Sequence, residues 1–171
     1  MDSHPFEEHI PRLRRYARAL LRDVTRADDL VQDTLERALT KYALFRRGTD
    51  LRAWLFTIMH NFHINQIRTA SYRAVTVEYD DAGMTPEQTN DPTALRDLAI
   101  ALEQLAPEHR EVLVLVGVEQ LTYGEAASVL GVPIGTVMSR LHRGRKLLAG
   151  VLAPANESGN SGNKTTQRSA A

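Results

Sequence analysis

The stretch Leu121-Thr-Tyr-Gly-Glu-Ala-Ala-Ser-Val-Leu-Gly-Val-Pro-Ile-Gly-Thr-Val-Met-Ser-Arg-Leu-His-Arg-Gly-Arg-Lys146 reads as a helix, a tight turn and a second helix. Thr122 followed three residues later by Glu125 has the form of a capping box, in which each side chain satisfies the other residue's backbone N–H. A helix is therefore expected to start there. Ala126, Ala127, Val129 and Leu130 give it a buried side, Gly131 supplies the turn, and the small Ala127 lets two helices cross closely. A second helix is expected from about Ile134, with Val137, Leu141 and Leu148 facing inward. Its other face carries Thr136, Ser139, Arg140, His142, Arg143, Arg145 and Lys146, with no acidic residue between Ile134 and Gly150. A helix docked in a DNA groove needs cations for the phosphates and short polar side chains near its start for base edges. The segment therefore reads as a DNA-binding helix-turn-helix. A plain helical hairpin with a solvated basic face is the alternative, and it leaves the joint occurrence of these features unexplained.

Working outward, nearly all of the chain reads as helix. Phe6 to about Leu21 places Ile10, Leu13, Ala17 and Leu20 on one face. A second helix, from about Ala27 to Leu44, buries Leu30, Val31, Leu35, Ala38 and Tyr42. Gly48 breaks the chain, and Thr49 or Asp50 caps a third helix running to about Arg68. From Ala70 to Pro92 the periodicity dissolves into an acidic, polar stretch punctuated by Gly and Pro, which reads as a flexible linker. Helices resume at about Thr93 to Leu105, and Pro107 opens another that runs to Val118. The expected fold is all-α, with small helical domains at 1–69 and 93–152, a linker at 70–92 and a disordered tail at 153–171.

Composition narrows the chemistry. The chain has 171 residues, zero formal net charge and no cysteine, so disulfides, thiolate zinc sites and cysteine nucleophiles are excluded. No apolar run is long enough to span a bilayer, and the N-terminus lacks the features of a signal peptide, so a cytoplasmic location without membrane insertion is expected. The zero net charge hides an asymmetry. Residues 1–70 hold twelve Lys/Arg against nine Asp/Glu, whereas residues 71–110 hold three against eight.

Two faces of the first unit stand out. The second helix carries Asp28, Asp29, Gln32, Asp33, Glu36 and Arg37 opposite its apolar side, a pattern suited to a charged protein partner or simply to solvent. In the third, Leu51, Leu55 and Phe62 form an inward stripe. Trp54, Ile58, Asn61, Asn65 and Arg68 recur at four- and three-residue steps along a neighbouring line. An aromatic anchor, an apolar residue, two amides and a cation suit unstacked nucleic acid. The alternative makes Trp54 and Ile58 core residues.

Three motifs together carry a family resemblance: Ala27-Asp-Asp-Leu-Val-Gln-Asp-Thr-Leu-Glu-Arg-Ala38; Leu51-Arg-Ala-Trp-Leu-Phe-Thr-Ile58 with Asn61; and Gly131-Val-Pro-Ile-Gly-Thr-Val-Met-Ser-Arg-Leu-His-Arg-Gly-Arg145. Residues 6–68 resemble region 2 of a bacterial sigma factor and residues 93–150 resemble region 4. No segment between them is long enough for region 3. This reduced form is that of the extracytoplasmic-function group. The resemblance implies core RNA polymerase as a partner, through its β′ clamp and β flap, together with promoter DNA and an anti-sigma factor. It assigns Asp28, Asp29, Gln32, Asp33, Glu36 and Arg37 to the polymerase. Trp54, Ile58, Asn61, Asn65 and Arg68, with the loop Tyr42 to Asp50, fall to a flipped base of the −10 element. The helix holding Thr136, Met138, Ser139, Arg140, His142, Arg143 and Arg145 falls to the −35 element. Capturing a flipped base lets a protein melt DNA without ATP hydrolysis, by binding the unstacked state preferentially. The chain departs from many relatives at Met138, where Lys or Arg is common, at Asn65, where Asp is common, and over His60-Asn-Phe-His63. Its promoter sequences therefore cannot be borrowed from a relative.

Two other readings compete. A helix-turn-helix repressor or activator would leave the acidic helix and the Trp54 stripe without a task. A metalloenzyme would draw on His60 and His63, one turn apart, with His4, His9, His109 and His142, but no carboxylate pair stands beside them at ligand spacing. No nucleophile-elbow or phosphate-loop motif is present. The sequence therefore implies no catalytic residue, metal or cofactor.

Overall fold

A computed structural model describes residues 5–74 and 93–153, whose regular structure is entirely helical. A short 3₁₀ turn, Glu7–His9, leads into α1 (Ile10–Leu21), with Pro11 in the first turn, where its missing N–H costs nothing. Leu13, Tyr16, Ala17 and Leu20 bury one face. α1 stops at Arg22, in the left-handed region with φ 56°. The Asp23 side chain then accepts from the N–H of Arg26 at 2.9 Å and caps α2 (Val24–Lys41). That cap starts α2 three residues before the expected Ala27. α2 buries Ala27, Leu30, Val31, Thr34 and Ala38, and Thr34 satisfies its hydroxyl on the carbonyl of Leu30.

The helix gives way to a 3₁₀ turn, Tyr42–Leu44, so Tyr42, expected in the core, is instead 38% exposed. It meets Phe6 edge-on and stacks on Phe45. Asp50, rather than Thr49, caps α3 (Leu51–Ala74), accepting from the N–H groups of Arg52 and Ala53. α3 passes the expected end at Arg68 and enters the segment read as linker. Residues 69–74 contain no Gly or Pro to break it. The rest of the expected linker, from residue 75, and the expected tail from 154 lie outside the described residues.

The second unit comprises α4 (Thr93–Glu103), α5 (Pro107–Val112), a π-helical segment (Leu113–Val118), α6 (Tyr123–Leu130) and α7 (Ile134–Leu152). The expected single helix over 107–118 thus widens after Val112, and Glu119 donates its N–H back to Val114 at 2.8 Å. Both halves of the capping box are formed: Thr122 N–H to Glu125 Oε2 at 2.8 Å, and Glu125 N–H to Thr122 Oγ1 at 3.2 Å. Gly131, at φ +63°, closes α6 in a conformation that disfavours other residues. Val137, Leu141 and Gly144 are the buried positions of α7.

The two units pack together into one apolar cluster. α6 lies on α3, while α5 and the π segment lie on α1. Polar groups cross the seam as well. Arg110, almost fully buried, donates Nε to the carbonyl of Ala19 and Nη1 to that of Leu105. Glu119, wholly buried, receives Arg15 through both carboxylate oxygens, at 2.8 and 3.2 Å.

Gly144 sets how closely α7 approaches α5. A Cβ built there would lie 3.1 Å from Leu113 Cδ1 and 3.4 Å from His109 Cβ. Leu113 is itself core and has little room to retreat. Gly144→Val should lower the unfolding free energy by about 1–3 kcal/mol through overpacking. Gly150→Ala, where an added Cβ meets nothing within 4 Å, should hold or raise it. Urea unfolding of both variants checks this; a Gly144→Val protein as stable as the parent would show that α5 can yield.

Candidate nucleic-acid interface

α7 presents its polar residues as the sequence pattern requires. With Val137, Leu141 and Gly144 inside, Met138, Ser139, His142, Arg143, Arg145 and Lys146 are exposed, and Thr136 and Arg140 are half-buried. The Ser139 hydroxyl donates to the carbonyl of Thr136 at 3.0 Å, which fixes its direction and leaves its oxygen able to accept. Four cations with no acidic neighbour on the helix make this face suitable for a polyanion. Met138, at 47% exposure, interrupts the cations with an apolar surface.

The α3 line runs from buried to exposed. Trp54 and Ile58 are half-buried and packed against the core, whereas Asn61, Asn65 and Arg68 are exposed. Trp54 thus joins both readings of the sequence: it belongs to the core edge and keeps part of its ring outside. Phe45 lies against it at 5.2 Å between ring centroids, so the turn before α3 is tied to the helix by a Tyr42–Phe45–Trp54 aromatic row. Leu44, the last residue of the 3₁₀ turn, is 77% exposed. Neither the Phe45–Trp54 contact nor Leu44's prominence was singled out by sequence pattern, which marks only where the loop is.

On α2, Asp29, Gln32 and Glu36 are exposed, and Asp28, Asp33 and Arg37 are half-buried. Asp28 pairs with Arg14 at 3.4 Å, and Arg37 donates to the Asp33 carbonyl at 3.1 Å. The Arg37 guanidinium also sits 3.5 Å from the centroid of the Phe62 ring, a cation–π contact that bridges α2 and α3. Surface pairs of this kind contribute about 0–1 kcal/mol. Their effect is to orient side chains, leaving Asp29, Gln32 and Glu36 as the outward-facing groups.

His60 and His63, one turn apart, are both buried and serve the interior. His60 Nδ1 lies 3.1 Å from the Tyr16 hydroxyl and 3.9 Å from Glu111 Oε2, across the seam. Among the described residues no three His, Asp or Glu side chains are grouped to hold a metal ion. Burial first, and then electrostatic interaction with His63 and Arg140, pushes His60 down to about 4. Burial pushes Glu111 up to about 7, against the opposing pull of Arg110 and Arg140.

The two shifts have opposite consequences for stability. Glu111 retains its proton longer when folded, so its contribution is present at low pH and is lost as pH rises from about 4.5 to 7. His60 favours the folded state when neutral, so its contribution is lost as pH falls from 6.5 towards 4. Glu111→Gln copies the protonated carboxyl. It should match the parent near pH 5 and exceed it above pH 7 by about 1–3 kcal/mol, since one pKa unit corresponds to about 1.4. Thermal unfolding across pH 5–8 tests this, and a pH-independent offset would assign the effect to packing instead.

Comparison with known proteins follows the same division into two units. The family model for the Sigma2 domain of PhyR matches residues 6–60, and that for Sigma-70, region 4, matches residues 95–148. The chain is 36% identical over 145 residues to the ECF RNA polymerase sigma factor EcfG of Rhodopseudomonas palustris, covering 84% of this chain and 80% of that protein. It is 38% identical over 143 residues to the ECF RNA polymerase sigma factor SigL of Mycobacterium tuberculosis, covering 80% of each. Among solved structures, the sigma factor RpoE in complex with the anti-sigma factor NepR from Bartonella quintana aligns with a TM-score of 0.74 and 34% identity. That alignment covers 86% of this chain and 93% of the other.

Proposed function

The chain belongs to the extracytoplasmic-function (ECF) RNA polymerase sigma factors, and we propose that three exposed faces divide the family's work among them. As a sigma factor it binds core RNA polymerase and directs transcription initiation at particular promoters, under the control of an anti-sigma factor. It is a regulator of transcription and not an enzyme. No helix among the described residues is long and apolar enough to cross a membrane, and we assign its work to the bacterial cytoplasm, with core polymerase and promoter DNA.

In this reading the α2 face of Asp28, Asp29, Gln32, Asp33, Glu36 and Arg37 meets the β′ clamp. The α3 line of Trp54, Ile58, Asn61, Asn65 and Arg68, with the loop 42–50, holds an extruded base of the −10 element. The half-buried Trp54 forms the floor of that pocket, and the exposed amides of Asn61 and Asn65 supply donors and acceptors for a base edge. The second unit, 93–152, meets the β flap, and α7 docks on the −35 element through Thr136, Met138, Ser139, Arg140, His142, Arg143 and Arg145. One observation supports this division above the others. In α2, the outer part of α3 and α7, the charged and amide residues of the family-like motifs are exposed or half-buried, while most apolar residues of the same motifs are buried or half-buried, Ile134 and Met138 of α7 being the exposed ones.

The test is reconstitution with core polymerase followed by sequencing of the DNA fragments the complex retains. A two-part motif at fixed spacing is expected, and failure to associate with core polymerase would overturn the reading. Within it, reversing Asp29 and Glu36 to Lys should weaken polymerase binding by roughly tenfold or more, or 1.4 kcal/mol per decade. The helical circular dichroism should not change, because both side chains are exposed. Equal affinity in competition would remove the α2 assignment. On α7, Arg145→Ala should weaken binding to all sequences alike and lower the salt slope by about one unit, the signature of a lost phosphate contact. Ser139→Ala should instead change which −35 sequence is preferred. The reverse pattern would mean that α7 is rotated in the groove.

A further inference from the structure

We propose that Glu119 is an interdomain latch, whose carboxylate and carbonyl oxygen, gripped by arginines of α1 and α3, hold the two helical units docked in the free chain and release them when the chain spans a promoter. The release step rests on the sigma-factor reading given above; the docking by Glu119 does not.

The geometry converges on one residue. Arg15 of α1 binds the carboxylate through Nε at 2.8 Å and Nη2 at 3.2 Å, and Arg12, one turn earlier, approaches at 3.7 Å. Arg52 of α3 donates Nη1 to the Glu119 carbonyl oxygen at 2.8 Å, while its Nη2 is held by Asp50 at 2.8 Å. Glu119 itself has no solvent exposure. Among the described residues, every charged partner of Glu119 comes from the first unit, 67 or more residues away in the chain.

The backbone around Glu119 is built to present it. The π segment Leu113–Val118 ends on it, and the next residue, Gln120, adopts a left-handed φ of 62°, unfavourable for a side chain other than Gly. Such conformations cost free energy and persist where the surroundings impose them. Together they turn the carboxylate and the carbonyl of one residue towards the first unit, immediately before Leu121 and the capping box that opens the helix-turn-helix.

The same contacts are made to part. The side chains of Arg12, Arg15 and Arg52 keep 40%, 50% and 20% of their surface in water even when docked, so separation rehydrates them without uncovering a deep site. Contact between the two promoter elements and their two helices requires that separation. By their numbering the −10 and −35 elements lie about 25 base pairs apart, which is roughly 85 Å of B-form DNA at 3.4 Å per base pair. A docked body of some 130 residues has a radius of gyration near 14 Å and is on the order of 35–40 Å across. α3 and α7 cannot both reach their elements until the seam opens. Residues 75–92 can bridge up to ~60 Å when fully extended, which with the breadth of two units covers the distance.

The experiment uses the full chain, whose lack of cysteine allows two to be introduced for spin labels, Arg18→Cys in α1 and Gly150→Cys in α7, both at exposed positions. Pulsed electron-spin distance measurement on the free protein should give one narrow, short distribution. Glu119→Gln, which removes the charge, should broaden it and shift it outward. Arg15→Glu should do the same, and because Arg15 is half exposed this second variant does not depend on the core tolerating a change. Arg96→Glu, an exposed change in α4, should leave the distribution in place. Adding core polymerase and a promoter fragment to the parent should produce the open distribution. The latch is overturned if the free parent is already broad and long, or if both seam variants keep the parent's distance with unchanged helical circular dichroism. Variants that open while polymerase and promoter leave the parent closed would support the latch and count against the promoter reading instead.

Discussion

Removing a carboxylate from water is costly unless cations and hydrogen-bond donors replace the lost hydration, and in this molecule that replacement comes from the other half of the chain. Glu119 receives Arg15 and Arg12 from α1 and, at its carbonyl, Arg52 from α3. Its burial and the packing of the two units are thus one condition. Around it the seam repeats the arrangement on a smaller scale. Arg110 finds the Ala19 and Leu105 carbonyls, and His60 and Glu111 face each other as groups that burial drives towards their neutral forms. Apolar surface supplies the non-directional part of the association, and these polar pairs fix how the units are set against each other.

The three proposed faces lie largely outside that seam, although Arg140 of α7 is felt by His60 and Glu111, and they are mounted with differing rigidity. α7 is held closely, since Gly144 brings it against Leu113 and His109. Its exposed residues therefore project from a firmly seated helix, as a reader of base edges requires. The α3 line depends on Phe45 and the core at its Trp54 end and on the helix alone at its Arg68 end. The proposed recognition of an extruded base calls for a fixed floor and adaptable edges, and that gradient fits both.

What the sequence made legible was local. Thr122 and Glu125 form the capping box, Gly131 takes the left-handed turn and Pro107 opens a helix, because each of these depends on residues within one turn. Boundaries moved where a local signal was passed over. Asp23 caps α2 three residues earlier than its apolar pattern suggests, and α3 continues through 69–74 because nothing there stops it. Tyr42 left the core because α2 tightens into a 3₁₀ turn before reaching it. The contacts across the seam had no signature. A period of 3.6 residues predicts which side of a helix is apolar, but not that Arg15 will meet a carboxylate 104 residues away. The widening of the helix after Val112 was equally hidden, because Leu113 to Val118 reads as well for an ordinary helix as for a π segment.

The stacking of Arg37 on Phe62 joins two surfaces for which separate tasks are proposed. Arg37 belongs to the α2 face, and Phe62 follows directly on Asn61 of the α3 line. A partner that draws the guanidinium away uncovers the aromatic ring beside the amide; one that presses on the ring disturbs the guanidinium. Any free energy linking the two occupancies is the same in both directions. This single contact thus gives the proposed protein–protein face and the proposed nucleic-acid face a common component, a route by which occupancy of one would be felt by the other without movement of a helix.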